Sequence, residues 1–183
     1  QCANAPFKSS KALFNRIFRP EDGLGPAFNE NQCSACHTDP ASGGTGEQRV
    51  VKATRFDGGV CDLLEPEGGQ NVRSQATPLL RAHGIERETV PARATARGRF
   101  TVPFLFGLGL VEAVPDAVIL AREDPGDRDG DGISGRAGRT ADGRLARFGR
   151  KADVATILEF VAGALRLEMG LTSPFEQLEP LVN

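Results

Sequence analysis

The chain has 183 residues and a formal net charge of −2, so it carries no broad positive field of the kind that binds nucleic acid. Its length fits a single domain spanning residues 1–183, and no apolar run reaches the ~20 residues of a transmembrane segment. The 22 glycines and 12 prolines are spread along the chain and predict long loops between short elements.

Apolar residues recur at helical spacing near both ends of the chain. This periodicity predicts a first helix over residues 9–19 and a last helix that is capped by Asp153 and ended by Gly170. Between them, weak alternation over residues 50–56 predicts one short strand, and a short helix is expected over residues 116–122. The predicted fold class is therefore mainly α with little β structure, and the first and last helices are expected to form the core.

Cys33, Cys36 and His37 form the C-x-x-C-H pattern of covalent haem attachment. Two thiols at this spacing can bond the two vinyl positions along one porphyrin edge, and the next residue delivers an imidazole to the iron from the same side. A redox dithiol has no need of the following histidine, and a zinc site would have to recruit ligands without paired spacing. The motif predicts one covalent haem c, with His37 as an iron ligand.

The other face of the iron has two candidate side-chain ligands, Met169 and His83. Met169 is the sole methionine and lies on the apolar stripe of the last helix, whereas His83 lies in a polar segment. Thioether ligation suits electron transfer, while an open site suits peroxide chemistry. We expect Met169 as the sixth ligand and keep His83 as the alternative. A core methionine and a surface histidine are the corresponding non-ligand interpretations.

The imidazole of His37 also needs an acceptor for its Nδ1–H, because this hydrogen bond fixes the tautomer of a ligating histidine. A backbone carbonyl near Pro40 can supply it. The remaining two cysteines, Cys2 and Cys61, predict a disulfide, since covalent haem attachment and disulfides both belong to the bacterial periplasm. Two free buried thiols are the alternative. The chain begins with Gln1, which indicates a longer precursor, and we expect a periplasmic or otherwise exported protein.

The segment D-R-D-G-D-G-I-S-G predicts a calcium loop. Asp127, Asp129 and Asp131 stand at alternate positions, so their carboxylates can converge on one ion, and Gly132 allows a sharp turn. The full EF-hand pattern needs a glutamate six residues later, where Gly138 stands. An unliganded acidic turn is the alternative to the structural Ca²⁺ site that we expect.

Five segments together resemble the bacterial di-haem oxidoreductase family, whose members are peroxidases related to di-haem cytochrome c peroxidases. They are residues 21–37, 102–121, 124–138, 147–152 and 168–174. The resemblance implies a cytochrome c-like domain with haem on Cys33, Cys36 and His37. Family members continue into a second domain with a second C-x-x-C-H motif, which this sequence does not contain, and they tend to have a Trp where Arg150 stands. The resemblance thus implies a one-haem relative or a fragment of a longer two-haem chain.

The sequence therefore predicts a monohaem c-type cytochrome that carries single electrons between exported or membrane-associated redox partners. A respiratory or photosynthetic membrane complex is one such partner. The alternatives are a peroxidase-like haem domain with an open distal site, the haem domain of a larger di-haem oxidoreductase, and a cysteine-rich structural or zinc module. Electron transfer ranks above a complete peroxidase, because peroxidase activity in the resembling family depends on a second haem.

Overall fold

The computed structural model describes the backbone of residues 4–182 and the side chains of residues 7–182. The α-helices are α1 (Asn4–Phe14), α2 (Cys33–Cys36), α3 (Pro78–Ala82), α4 (Leu108–Glu112), α5 (Asp116–Leu120) and α6 (Ile157–Met169). The strands are β1 (Ala27–Phe28), β2 (Arg49–Asp57), β3 (Val60–Asp62), β4 (Asn71–Val72), β5 (Gln75–Ala76) and β6 (Ala96–Thr101). Short 3₁₀ turns cover Pro20–Asp22 and Glu65–Glu67.

The predicted mainly α, cytochrome c-like fold class is wrong. Helix accounts for 26% of the structure and strand for 18%, and the strands form two antiparallel sheets. In the larger sheet, β2 pairs with β3, β4 and β6, and its register with β6 runs from Arg49 opposite Thr101 to Thr54 opposite Ala96. In the smaller sheet, β1 pairs with β5. Apolar and polar residues alternate only weakly in these strands, so the sequence pattern gave little indication of the two sheets.

The hairpin between β2 and β3 has a sequence signal that supports its turn. Gly58 and Gly59 connect Asp57 to Val60, with φ angles of 56° and 83°. Two successive residues with positive φ are what a two-residue type I′ hairpin turn requires, and glycine meets this requirement without strain. The predicted strand over residues 50–56 lies within β2 and is the part of the larger sheet that the sequence indicates.

The first helix begins and ends earlier than predicted, and it does not form the core. Residues 15–19 are not helical, and Leu13 and Ile17 remain 57% and 58% exposed. The predicted apolar face consists of Leu13, Phe14, Ile17 and Phe18. Of these four residues only Phe18, beyond the end of α1, is buried. The helical spacing over 9–19 was therefore misleading, because only a residue after the helix packs inside.

The last helix ends as predicted but begins three residues later than the Asp153 cap implies. Thr156 caps α6: its Oγ1 accepts from the backbone N–H of Glu159 at 3.2 Å. The Glu159 carboxylate accepts in return from the Thr156 backbone N–H at 3.2 Å. This is a capping box, which satisfies two otherwise unpaired donors at a helix start. At the other end, Gly170 has a φ of 69° and terminates α6. Downstream of β6, the predicted short helix over 116–122 is present as α5.

The chain divides into two compact units, Gln1–Phe106 with Ala164–Asn183, and Gly107–Gly163, so that the boundary falls inside α6. We call them unit 1 and unit 2. The core of unit 1 contains Phe18, Leu24, Phe28, Met169 and Leu171. This division leaves the single-domain assignment of residues 1–183 as a prediction. In the part of the chain with described structure, no helix is long and apolar enough to cross a membrane.

Unit 2 is organised around the side chain of Arg147. Its guanidinium donates to the backbone carbonyls of Val111 and Glu112 at 3.2 Å each and to that of Val114 at 2.5 Å. It also forms an ion pair with Asp116. One largely buried guanidinium therefore connects the end of α4 to the start of α5.

Candidate haem-binding site

The C-x-x-C-H motif forms a single helical turn, α2. Cys33 and Cys36 are three residues apart in this turn, so their side chains lie on the same face. The turn ends at His37, whose backbone N–H donates to the carbonyl of Cys33 at 3.2 Å. Both cysteines are half-buried and have free thiols. The local backbone therefore presents two thiols and the following imidazole from one short segment.

The imidazole of His37 is held by the loop that follows it. Its Nδ1 lies 2.9 Å from the carbonyl oxygen of Gly44, while the carbonyl oxygen of His37 accepts from the backbone N–H of Gly43 at 3.0 Å. When Nδ1 donates to Gly44, the lone pair of Nε2 is free for a metal ion. The acceptor expected near Pro40 is thus supplied by Gly44.

Two glycines allow this loop to lie directly against the motif. A Cβ added to Gly44 would overlap the carbonyl oxygen of Asp39, and a Cβ added to Gly46 would overlap that of Cys36. Side chains are therefore excluded at both positions by close backbone approach. Our sequence interpretation missed Gly44, although the glycine cluster at residues 43–46 was a signal for such an approach.

Aromatic side chains surround this loop. The ring of Phe14 lies 6.2 Å from the His37 ring, with an interplanar angle of 49°. Phe104 and Phe106 stack at 6.4 Å and are 62% and 49% exposed. The backbone between them is anchored to the loop, since the N–H of Leu105 donates to the carbonyl of Gly43 at 2.8 Å. Exposed aromatic rings of this kind provide apolar surface that a porphyrin can cover.

Met169 is buried in the core of unit 1, where it is 5% exposed. Cys33 packs against the same apolar cluster. The structure therefore brings the predicted sixth ligand and a predicted haem cysteine to one cluster, although they lie far apart in sequence. The alternative ligand, His83, is exposed at the C-terminal end of α3.

The surroundings of the two thiols keep them protonated at neutral pH. Burial raises the pKa of Cys36 to about 12, and the negative charges of Glu30 and Glu168 contribute in the same direction. Burial also raises the pKa of Cys33.

The donor set fits haem c. Two accessible thiols on one helical face match the two thioether positions, and an imidazole with its Nδ1 engaged matches a proximal ligand. A thioether in an apolar cluster beside Cys33 matches a second axial ligand. None of these groups is consumed by a competing ion pair or disulfide among the residues with described side chains.

The three aspartates of the predicted calcium loop are brought together in unit 2. Carboxylate oxygens of Asp127, Asp129 and Asp131 all lie within 4.8 Å of one another. Backbone N–H groups turn the loop inward, because Gly132 donates to the Asp127 carboxylate at 3.1 Å and Ile133 to that of Asp131 at 2.8 Å. The arrangement is the one that the alternate spacing predicted.

The predicted Cys2–Cys61 disulfide involves a residue outside the described part of the chain, because Cys2 precedes residue 4. Cys61 is exposed on β3 and has a free thiol, and no disulfide is present among the residues with described structure. The disulfide therefore finds no support and stays a prediction.

Comparison with known proteins gives one match. Residues 93–180 match the family model described as "Di-haem oxidoreductase, putative peroxidase". No curated protein and no solved structure matches the chain significantly. The match confirms the resemblance over residues 93–180, which contain four of the five resembling segments, and at a coarse level it supports a role as a haem redox protein. The fifth segment, residues 21–37, lies outside the match. The matched region includes Met169 and the aspartate loop and begins after the C-x-x-C-H motif.

Proposed function

We propose that this chain, whose residues 93–180 match the di-haem oxidoreductase family model, is a monohaem c-type cytochrome that carries single electrons. The observation that carries the proposal is the convergence of Cys33 and Met169 on one buried cluster, with His37 adjacent to Cys36. A thiol pair and an imidazole on one side, with a thioether buried nearby, form the ligand set of an electron-transfer haem.

Each residue has a distinct part in this function. Cys33 and Cys36 hold the porphyrin through thioether bonds, and His37 ligates the iron through Nε2 while Gly44 fixes the ring. Met169 supplies the second axial ligand. Bound haem supplies a reversible one-electron couple, and thioether ligation raises its reduction potential. With His37 and Met169 both holding the iron, electrons would enter and leave without a bond to a substrate.

The same chemistry supports an exported location and protein partners. Covalent haem attachment is typical of the bacterial periplasm, so the proposed location is there or elsewhere outside the cytosol. Its partners in this proposal are redox proteins that donate or accept one electron, including a membrane respiratory or photosynthetic complex.

A structural calcium ion is part of the proposal. Asp127, Asp129 and Asp131 offer three hard oxygen ligands within 4.8 Å of one another, and unpaired carboxylates this close repel. A bound Ca²⁺ offsets that repulsion and stabilises the loop of unit 2.

The first experiment asks whether the haem is present and covalent. A pyridine haemochrome spectrum of purified protein is expected to give one haem per chain, and acid–organic extraction is expected to leave the pigment on the polypeptide. Extractable pigment, or protein without pigment, would overturn the proposal.

The second experiment tests the axial ligand. Met169→Ala is expected to abolish the sulfur-to-iron charge-transfer band of the oxidised protein, while His83→Ala, an exposed matched control, leaves it unchanged. An unchanged spectrum in Met169→Ala would remove this residue from the ligand set.

The family description favours a second candidate, a peroxidase-like haem domain with an open distal site. The two candidates differ in their response to external ligands. Cyanide and hydrogen peroxide leave the spectrum of a carrier with two protein ligands unchanged at moderate concentration, whereas they alter that of an open site. A rapid cyanide-induced shift in the wild-type protein would favour the peroxidase.

A further inference from the structure

The carboxylate of Glu168, directly before Met169, is held by two buried amides. Its Oε2 accepts from Nδ2 of Asn29 and its Oε1 from Nδ2 of Asn71, each at 2.6 Å. Asn29 and Asn71 are only 9% and 3% exposed. Hydrogen bonds to a carboxylate in such surroundings are stronger than those between neutral groups.

The orientation of both amides is fixed from the other side. Lys52 Nζ donates to Oδ1 of Asn71 at 2.8 Å, and the backbone N–H of Ser74 donates to Oδ1 of Asn29 at 3.1 Å. An ammonium and a backbone N–H can only donate, so each amide must turn its oxygen toward them and its NH₂ toward Glu168. The Glu168 carboxylate therefore faces two NH₂ donors, and neither amide can turn its oxygen toward the carboxylate.

Backbone contacts join the same turn of α6 to the loop around residues 25–29. The N–H of Asn29 donates to the carbonyl of Glu168 at 2.7 Å, and that of Gly25 donates to the carbonyl of Met169 at 2.9 Å. A Cβ on Gly170 would lie 2.5 Å from the carbonyl oxygen of Gly25. The last turn of α6 therefore packs closely against this loop, and there is no space for a side chain at residue 170.

We propose that Glu168 is a positioning residue that fixes Met169 for ligation of the haem iron. The inference rests on the proposed function, in which Met169 is the sixth ligand. A thioether is a weak neutral ligand, so a fixed approach reduces the entropy that ligation costs. We call the hydrogen-bonded group of Asn29, Asn71 and Glu168 the cage of Glu168. It fixes the turn of α6 that carries Met169.

Glu168→Gln is the sharpest test, because it preserves shape and places an NH₂ group opposite one of the two amide NH₂ groups. Added imidazole competes with Met169 for ferric iron, so its affinity reports how firmly the thioether is held. We expect Glu168→Gln to bind imidazole about tenfold more tightly than wild type and to lose part of the sulfur-to-iron band. Its haem content by pyridine haemochrome is expected to be unchanged.

Two control variants separate positioning from general loss of stability. Glu179→Gln changes an exposed carboxylate beyond α6 and is expected to keep the imidazole affinity within about twofold of wild type. Arg147→Gln removes the largely buried guanidinium that organises unit 2 and is expected to lower thermal stability without raising imidazole affinity. An equal rise in imidazole affinity in Arg147→Gln would overturn the positioning role.

The remaining outcomes distinguish this inference from the proposed function. A wild-type protein without a sulfur-to-iron band overturns Met169 ligation and the inference with it. A wild-type band together with wild-type imidazole affinity in Glu168→Gln overturns the inference alone. If Glu168→Gln does not accumulate as folded protein, Asn71→Ala decides, since it removes one of the two amide donors to Glu168 and leaves Asn29 in place. Imidazole affinity in that variant indistinguishable from wild type also overturns the inference.

Discussion

The Nδ1 atom of His37 lies 2.9 Å from the carbonyl oxygen of Gly44, within a loop whose backbone approaches too closely to admit a side chain at residue 44. The same close backbone approach brings the Gly44 carbonyl to His37 and leaves no space for a Cβ at residue 44. The loop after the haem motif acts as a backbone support for the imidazole, and the carbonyl it presents makes the ring a stronger electron donor to a metal ion.

Gly44→Ala is expected to disturb this support. The added Cβ would overlap the carbonyl of Asp39, so the loop must move and the His37 hydrogen bond is lost. We expect a loss of about 1–3 kcal/mol in the free energy of unfolding. In the proposed function, in which His37 ligates the haem iron, the reduction potential is expected to rise, because a weaker imidazole donor would stabilise ferric iron less. Denaturant unfolding and a potentiometric titration measure the two effects.

Gly109→Ala is the matched control, since a Cβ there meets nothing within 4 Å and the residue lies inside α4. It is expected to leave the potential unchanged. Equal potentials in Gly44→Ala and wild type would contradict the support assigned to Gly44.

The buried ion pair between Arg73 and Glu88 predicts a large stability loss when broken. Their side chains are 1% and 2% exposed, and Oε2 of Glu88 also accepts from the backbone N–H of Arg73 at 2.7 Å. Nη1 of Arg73 lacks a hydrogen-bond partner among the described residues, and the Leu181 carbonyl that accepts from Nη2 carries no negative charge to replace the carboxylate. Glu88→Gln is expected to cost about 3–5 kcal/mol, measured by urea unfolding.

Glu86→Gln provides the comparison, because Glu86 and its partner Arg81 are 74% and 50% exposed. We expect it to change the free energy of unfolding by less than about 0.5 kcal/mol. Similar losses of free energy of unfolding in Glu88→Gln and Glu86→Gln would contradict the large contribution assigned to the buried Arg73–Glu88 pair.

Arg144 predicts a pH-dependent contribution to stability. Hydrogen bonds from Thr140 and then Arg144 hold the pKa of Asp142 below its usual 3.8. Hydrogen bonds from Arg144 and then Thr156 likewise hold the pKa of Glu159 below 4.5. A lowered folded-state pKa stabilises the fold above the unfolded-state pKa, and the contribution is lost as pH falls through the folded-state value.

Arg144→Gln is therefore expected to lower the melting temperature slightly at neutral pH. The difference from wild type should shrink to zero as the pH falls below the lowered pKa values of Asp142 and Glu159, where both carboxylates are protonated. Melting curves across this range measure it, with the exposed Arg87→Gln as control. A difference that stays constant down to the lowest pH would exclude these two carboxylates as its source.

Calcium is expected to stabilise the wild-type protein. At a Ca²⁺ concentration of about 100 times Kd, a native-state site contributes about 2.7 kcal/mol, which appears as a rise in melting temperature. The double variant Asp129→Asn, Asp131→Asn should lose this rise, while Asp57→Asn, an exposed aspartate on β2, should retain it. Equal Ca²⁺-induced rises in melting temperature in the wild type and in both variants would show that Ca²⁺ does not bind at Asp129 and Asp131.

The sequence predicted those features whose determinants are local. Cys33, Cys36 and His37 are adjacent, the three aspartates alternate within one turn, and Gly170 follows the stripe that it ends. The fold class was wrong because β6 has a polar sequence and pairs with β2 across some forty intervening residues. Its strand conformation depends on that partner. The cage of Glu168 was missed for the same reason, since Asn29 and Asn71 approach it only in the folded chain.

Unit 1 is assembled from two separate stretches of sequence, and its core needs Met169 and Leu171 from the second of them. A ribosome releases the residues of unit 2 before these two, so the core of unit 1 cannot be completed until residue 171 has been synthesised. Two stretches that are far apart in synthesis are thus brought together in one folding unit.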